Sequence, residues 1–340
     1  SRMEKGRVSN VAPLDQAVGN LLANEAMFER ASIEHAAGRK DVRHAMRAPS
    51  RVAFLTCVVL AMVLGVLATI EAGQIRVERV RLTTPKLPAT IERLRITQIS
   101  DVHLGLMVRR REAAAIADLI RETRPDLLVS TGDLVDARPE RLDGLSDIFR
   151  DIPAPLGKYA VTGNHEYYAG LGPALDFTRR AGFRVLRGEV VAVGDALRIA
   201  GVDDPTGEAL AAEPHRREGD ILESGSSSLY TVLLKHRPVI AADARSRVDL
   251  QLSGHTHQGQ LFPFRFLVRL AYPFLSGLRF REDGGALYVS RGAGTWGPRM
   301  RLWSPPEITV FDIARAAPDR GGGGGAVGVG GAERRGKGCR

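Results

Sequence analysis

Leu94-Arg95-Ile96-Thr97-Gln98-Ile99-Ser100-Asp101-Val102-His103 is the stretch on which the fold turns. Leu94 to Ser100 reads as a strand that delivers Asp101, and Arg110 to Thr123, rich in Ala, Ile and Leu, reads as the helix behind it, ended by Pro125. Asp126 to Ser130 is the next strand and delivers Gly132-Asp133. Lys158 to Thr162 is a third, leading into Gly163-Asn164-His165-Glu166, with a helix over Pro173 to Ala181 after it. Further strands are expected at Val190 to Val193, Leu197 to Val202, Leu229 to Leu234, Leu250 to Ser253, Ala286 to Ser290 and Ile308 to Asp312. Strand-helix alternation followed by clustered strands indicates a layered α/β architecture with a mixed sheet or two packed sheets.

Reactive groups in open α/β sheets gather beyond the carboxyl ends of strands, where several strands end in one crevice. Five motifs meet that rule: Asp101-Val102-His103, Gly132-Asp133, Gly163-Asn164-His165-Glu166, His236 and Gly254-His255-Thr256-His257. Singly, a strand-end Asp or His reads as a cap or a turn. In the third motif glycine permits a tight turn, Asn offers a neutral amide oxygen, and the adjacent His stays free for proton transfer. In the last, two imidazoles at i and i+2 can reach a pair of metals from one side. Together the five supply Asp, Asn and His ligands enough for two divalent ions side by side.

These motifs, in this order, resemble the calcineurin-like metallophosphoesterase family, whose pattern is DxH, GD, GNHE, H and GHxH; the match spans Leu94 to Asp312. The segments Gly254-His255-Thr256-His257-Gln258-Gly259-Gln260 and Ser290-Arg291-Gly292-Ala293-Gly294-Thr295-Trp296-Gly297-Pro298 resemble its bacterial membrane-associated branch. The resemblance implies a β-sandwich of mixed sheets flanked by helices. It also implies that Asp101, His103 and His257 hold one metal, that Asn164, His236 and His255 hold the other, and that Asp133 bridges both. Mixed oxygen and imidazole donors suit Mn²⁺, with Fe or Zn²⁺ as alternatives, better than Mg²⁺ or Ca²⁺. Two such ions activate a water and clamp phosphoryl oxygens, so no Ser or Cys nucleophile is needed. His165 is placed to protonate the leaving oxygen or to stabilise the developing phosphorane charge, and reads best as the proton donor, with Asp136 or Glu166 to orient it.

Outside the motifs, Val52 to Ile70 is an uncharged apolar run, long enough as a helix to span a bilayer core of about 30 Å. A buried soluble helix and a cleaved leader starting at Met46 are the competing readings. Arg39, Lys40, Arg43, Arg47 and Arg51 before the run outnumber Arg76, Arg79 and Arg81 after it, so a single-pass protein of the cell membrane with an extracytoplasmic catalytic domain is expected. The organisation read is an extension at 1–51, the membrane helix at 52–70, a linker and domain entry at 71–93, the catalytic domain at 94–315 and a disordered Gly-rich tail at 316–340. His35, His44 and His215 read as solvated. The 48 Lys+Arg against 39 Asp+Glu are scattered, without a basic block in the globular part, and no nucleic-acid partner is expected. Cys57 and Cys339 make no disulfide framework.

Asp203 and Asp204 tempt a third metal site, but Asp-Asp-Pro-Thr-Gly is also a good turn. Arg291 and Trp296 read equally as a phosphate-pocket border or as structural. The aromatic-rich stretch from Phe262 to Leu275 reads as core or as a lipid-facing or substrate-facing rim. The function expected is a dimetal phosphodiesterase acting on lipid-linked or cell-envelope phosphate esters. The alternatives are a phosphomonoesterase, or a cytoplasm-facing hydrolase of a nucleotide or lipid precursor. A noncatalytic metal-binding scaffold would be expected to have lost ligands or His165, and all are present. Oligomeric state is not legible.

Overall fold

A computed structural model describes residues 50–105, 107–136, 142, 144–211, 216–222, 228–316 and 334–336. Two units are distinguished, residues 1–61 and 62–340. His35, His44, His215, Cys339 and most of the amino-terminal extension and Gly-rich tail lie outside the described residues. The apolar run forms α1 (Arg51–Ala72), whose 22 residues bury only Ala68 and Ala72. That length and composition suffice to cross a membrane, and Phe54, Leu55, Leu60 and Val66 are exposed.

The rest is built on two mixed sheets. The first runs β13 (Arg334–Gly336), β1 (Arg76–Thr84), β12 (Glu307–Arg315), β2 (Arg93–Ile99), β3 (Leu127–Ser130), β4 (Lys158–Ala160), β5 (Arg184–Val185). The second runs β10 (Gly277–Phe280), β11 (Ala286–Val289), β9 (Leu250–Ser253), β8 (Tyr230–Leu234), β7 (Leu197–Gly201), β6 (Glu189–Val193). Strands β2 to β5 are parallel to one another, as are β7, β8 and β9. Parallel strands buried on both faces need apolar residues at successive positions. Thus Leu127 and Val129 of β3 face the second sheet, with Ile96, Leu197, Val232 and Phe311. Leu128 faces the helical layer, where α2 (Arg110–Thr123) contributes Ala113, Ile116, Ala117 and Ile120. A third cluster, with Val202, Leu222, Leu233 and Val248, covers the outer face of the second sheet.

Two stretches depart from the expected organisation. Residues 71–93, read as linker and domain entry, carry β1, which pairs parallel with β12 over its whole length. Its buried positions mix Glu78 with Leu82 and Thr84, and Arg79 and Arg81 stand between them on the other face, so the apolar alternation that signals a strand is masked. Within the tail read as disordered, Arg334–Gly336 adds antiparallel to β1, whose open edge offers unpaired backbone groups.

Phe311 is fully buried between the sheets and meets Tyr288 edge-on at 5.0 Å. Phe311→Ala is expected to cost about 3–5 kcal/mol, read as a fall in the midpoint of denaturant unfolding.

Candidate metal centre

All five motifs lie just beyond the carboxyl ends of strands, three from the first sheet (β2, β3, β4) and two from the second (β8, β9). The first two are laced together as the strands end: the Asp101 N–H donates to the Gly132 carbonyl and the His103 N–H to that of Asp133, each at 3.0 Å. To turn inward, the chain takes left-handed backbone at Asp101 (φ 51°), His103 (53°), Asp133 (52°), His255 (72°) and His257 (47°). Non-glycine residues rarely adopt this region, and it concentrates at functional sites. Gly254 is required for a different reason. A Cβ there would fall on the Asp101 carboxylate and Ser100 Oγ.

The side chains converge. His257 Nε2 lies 3.2 Å from Asp101 Oδ1 and 3.1 Å from His103 Nε2. His236 Nε2 lies 3.1 Å from Asp133 Oδ2 and 3.1 Å from His255 Nδ1. Asp101, His103 and His257 form one group whose ligand atoms fall within 4.8 Å of one another, and Asp133, His236 and His255 form another; His103, Asp133 and His165 form a third. Asn164 is buried and its Oδ1 has no hydrogen-bond partner. A buried amide oxygen left bare costs about 1–3 kcal/mol unless something binds it. Two carboxylates, four imidazoles and this orphaned oxygen fit a pair of divalent cations. His236 is oriented for that role by donation from Nδ1 to the Thr131 carbonyl at 2.8 Å, which leaves Nε2 facing Asp133.

Electrostatics sort these groups. Burial would raise the Asp101 carboxyl, but His257 and the neighbouring imidazoles outweigh it and hold Asp101 well below the usual range. Asp133 is likewise lowered, chiefly by His236 against burial. Burial takes His103 down to about 4 despite Asp133. It takes His255 to about 4 as well, helped by His236. Burial opposes the charge on His236 too, but the Asp133 carboxylate prevails and raises it to about 10. His165 differs: burial lowers it, but the 2.6 Å hydrogen bond with Asp136 and the charges of Asp133, Asp136 and Glu166 together outweigh burial, and the net shift is upward. Of the two candidates to orient His165, Asp136 does so. Glu166 instead accepts from the N–H groups of Gly163, Asp133 and Leu134. Burial and Asp133 push it up to about 7.

Three residues of this neighbourhood escaped the reading of the sequence. Arg301, fully buried, can only donate; it bonds the Gly294 carbonyl and fixes the ring of His257 through Nδ1 at 3.0 Å. Ser304 Oγ donates to the His257 carbonyl, and the Glu71 carboxylate, on the last turn of α1, accepts from the Trp303 and Ser304 N–H groups. No local pattern marks one arginine among 48 Lys+Arg. The other candidates take structural places. Asp204 pairs with Arg237 and caps the Thr206 N–H, while Asp203 pairs with Arg187. Arg291 bonds Glu78 and Glu307. Trp296 remains exposed beside the centre, and of the aromatic-rich stretch from Phe262 to Leu275 only Leu275 is buried.

The calcineurin-like phosphoesterase pattern matches residues 94–259. An uncharacterized metallophosphoesterase of Aquifex aeolicus is 42% identical over 75% of this chain and 97% of its own length. A transmembrane protein with a metallophosphoesterase domain from Danio rerio is 33% identical over 76% of this chain, which spans 62% of that longer protein. The uncharacterized metallophosphoesterase YkuE of Bacillus subtilis is 32% identical over 67% of this chain and 81% of its own length.

Gly254→Ala is expected to keep the circular-dichroism spectrum while binding fewer divalent ions than the two expected per wild-type chain, counted by metal analysis after Mn²⁺ loading.

Proposed function

The chain belongs to the calcineurin-like phosphoesterase family, and from that premise we propose that this phosphoester hydrolase is a phosphodiesterase acting on lipid-linked phosphate esters. The observation that carries the reading is a cavity of about 720 Å³. Its floor includes Asp133, Asn164, His165, His255 and His257, and its wall includes Leu261, Phe264, Leu267, Val268 and Ala271. A polar floor beside an apolar wall suits an amphipathic ester, with the phosphate below and a chain or isoprenoid along the wall. The membrane reading of α1 keeps such a substrate close.

Family members generally bind two divalent metals, and Mn²⁺ is the ion proposed, on donor chemistry. Asp101, His103 and His257 would hold one ion and Asn164, His236 and His255 the other, with Asp133 between them. When bound, such a pair neutralises phosphoryl oxygens and activates water. His103 and His255 serve as neutral donors because burial keeps protons off them. His165, adjacent to Asn164 but outside both ligand sets, holds a proton between Asp136 and the cavity and delivers it to the leaving oxygen. The excess of basic residues before α1 favours a catalytic domain outside the cytoplasm. Protease digestion of the domain in intact cells tests that facing; protection would place it inside.

The direct test is turnover by the Mn²⁺-loaded chain of a phospholipid diester, bis-p-nitrophenyl phosphate and p-nitrophenyl phosphate. Diesters are expected to exceed the monoester in kcat/KM; the reverse order would make it a monoesterase. Leu267→Asp is expected to raise KM for the lipid diester and leave that for the soluble diester unchanged.

His165→Ala is expected to retain two ions and to lower kcat about 10²–10⁴-fold on a diester with an alkyl leaving group, and far less when p-nitrophenolate leaves, because that anion needs no proton. Equal losses on both would remove the proton-donor role. Since the donor must be protonated, activity falls as pH rises through the raised value of His165. Asp136→Asn removes the hydrogen-bonded carboxylate that raises it together with Asp133 and Glu166, so the alkaline limb of the kcat profile is expected to move to lower pH.

A further inference from the structure

We propose that Phe262–Ala271 is a second membrane contact, seated in the interfacial zone of the leaflet that the carboxyl end of α1 reaches, so that the cavity mouth opens against lipid. The short helix Arg265–Ala271 buries none of its residues. Phe266, Leu267 and Leu270 are exposed at 56%, 62% and 85%, with Phe262, Phe264, Trp296 and Trp303 exposed nearby. A continuous apolar surface of this kind on a folded domain marks a contact.

What covers it follows from where it sits. Glu71 is the first charged residue after the apolar run of α1, and so marks the level at which hydrocarbon gives way to headgroups. From Glu71 a ladder of contacts leads to the exposed helix. Its carboxylate accepts from the Trp303 N–H at 3.1 Å, the Trp303 ring meets Phe262 at 4.7 Å, and Phe262 meets Phe266 at 5.7 Å. The helix therefore lies near the level of the membrane boundary. Tryptophan, phenylalanine and leucine beside Arg265 and exposed Arg269 form the side-chain set of interfacial segments, apolar groups in the acyl boundary and guanidinium groups among phosphates. A two-fold contact with a second copy would bring the same arginines face to face. Leu267, on this helix, is also part of the cavity wall, so the docked segment would form one bank of a path from the bilayer to the metal loop.

The inference rests on the membrane reading of α1, and the experiment separates the two. The full chain, with Trp296→Phe and Trp303→Phe, carries Leu270→Trp as its sole reporter and is reconstituted into phosphatidylcholine nanodiscs with or without bromine near the headgroup end of the acyl chains. Co-elution with the discs tests the anchor. Docking is expected to give a blue-shifted emission that brominated lipid quenches, and Phe266→Asp, a residue outside the cavity wall, is expected to relieve the quenching without changing turnover of a soluble diester. Emission unquenched in co-eluting discs would overturn the docking and leave the anchor standing. Failure to co-elute would overturn both. Cross-linking between chains through Leu270→Cys, with no quenching of the tryptophan reporter, would replace the bilayer by a second copy and overturn the proposal.

Discussion

Asp101 and Asp133 are negative charges held almost wholly inside the protein, at 0% and 2% exposure, and the surrounding structure is arranged to hold them. A buried carboxylate without partners carries a desolvation penalty of several kcal/mol. Here each is met by imidazoles and by backbone. The His255 N–H donates to both Asp101 oxygens at 3.0 and 3.1 Å, and the His165 N–H donates to Asp133 Oδ1 at 2.9 Å. Aiming these donors and acceptors inward requires the left-handed turns at five of the seven nominated ligands, each costing about 1–3 kcal/mol. Such turns persist only where their surroundings over-determine them, and here the three apolar clusters in and around the sheets do so.

The centre therefore depends on the sandwich being closed. Asp101, Asp133 and Asn164 come from one sheet and His236, His255 and His257 from the other, so neither sheet alone holds a complete set. A third support comes from α1. The Arg301 N–H donates to the Ala68 carbonyl and Glu71 anchors Trp303 and Ser304, while Arg301 and Ser304 both grip His257. The carboxyl end of α1 is thus built into the wall behind His257.

The strand-to-motif logic was legible because it lives in local sequence. The expected bounds of α2 and β9 coincide with those found, and the other expected strands agree within a few residues, because short apolar-bearing runs bounded by Gly, Pro and Asp mark strand ends locally. What sequence could not carry was pairing between distant residues. Strand β1 hid behind arginines because its inward Glu78 is neutralised by Arg291, 213 residues away. Asp136 and Glu166 look alike as partners for His165 until the turn after β3 brings three backbone N–H groups onto Glu166. Trp296 and the Phe262–Leu275 stretch had composition but no side, since apolar periodicity does not say whether the facing partner is protein or solvent.

The five imidazoles of the centre are chemically identical, and position alone divides their work. His103 and His255 lose proton affinity because burial dominates. His236 gains it because Asp133 lies 3.1 Å away and Asp101 and Asp204 add their charge, against burial. His165 is less buried, faces the cavity, and has its own carboxylate in Asp136, which His103 approaches only to 3.7 Å. A lone pair offered to a cation and a proton offered to a leaving group are incompatible demands on one ring. The fold keeps such demands apart in space: burial holds His103 and His255 neutral, while His165, with its proton affinity raised, stands at the rim 4.6 Å from His103, where the apolar wall of the cavity begins.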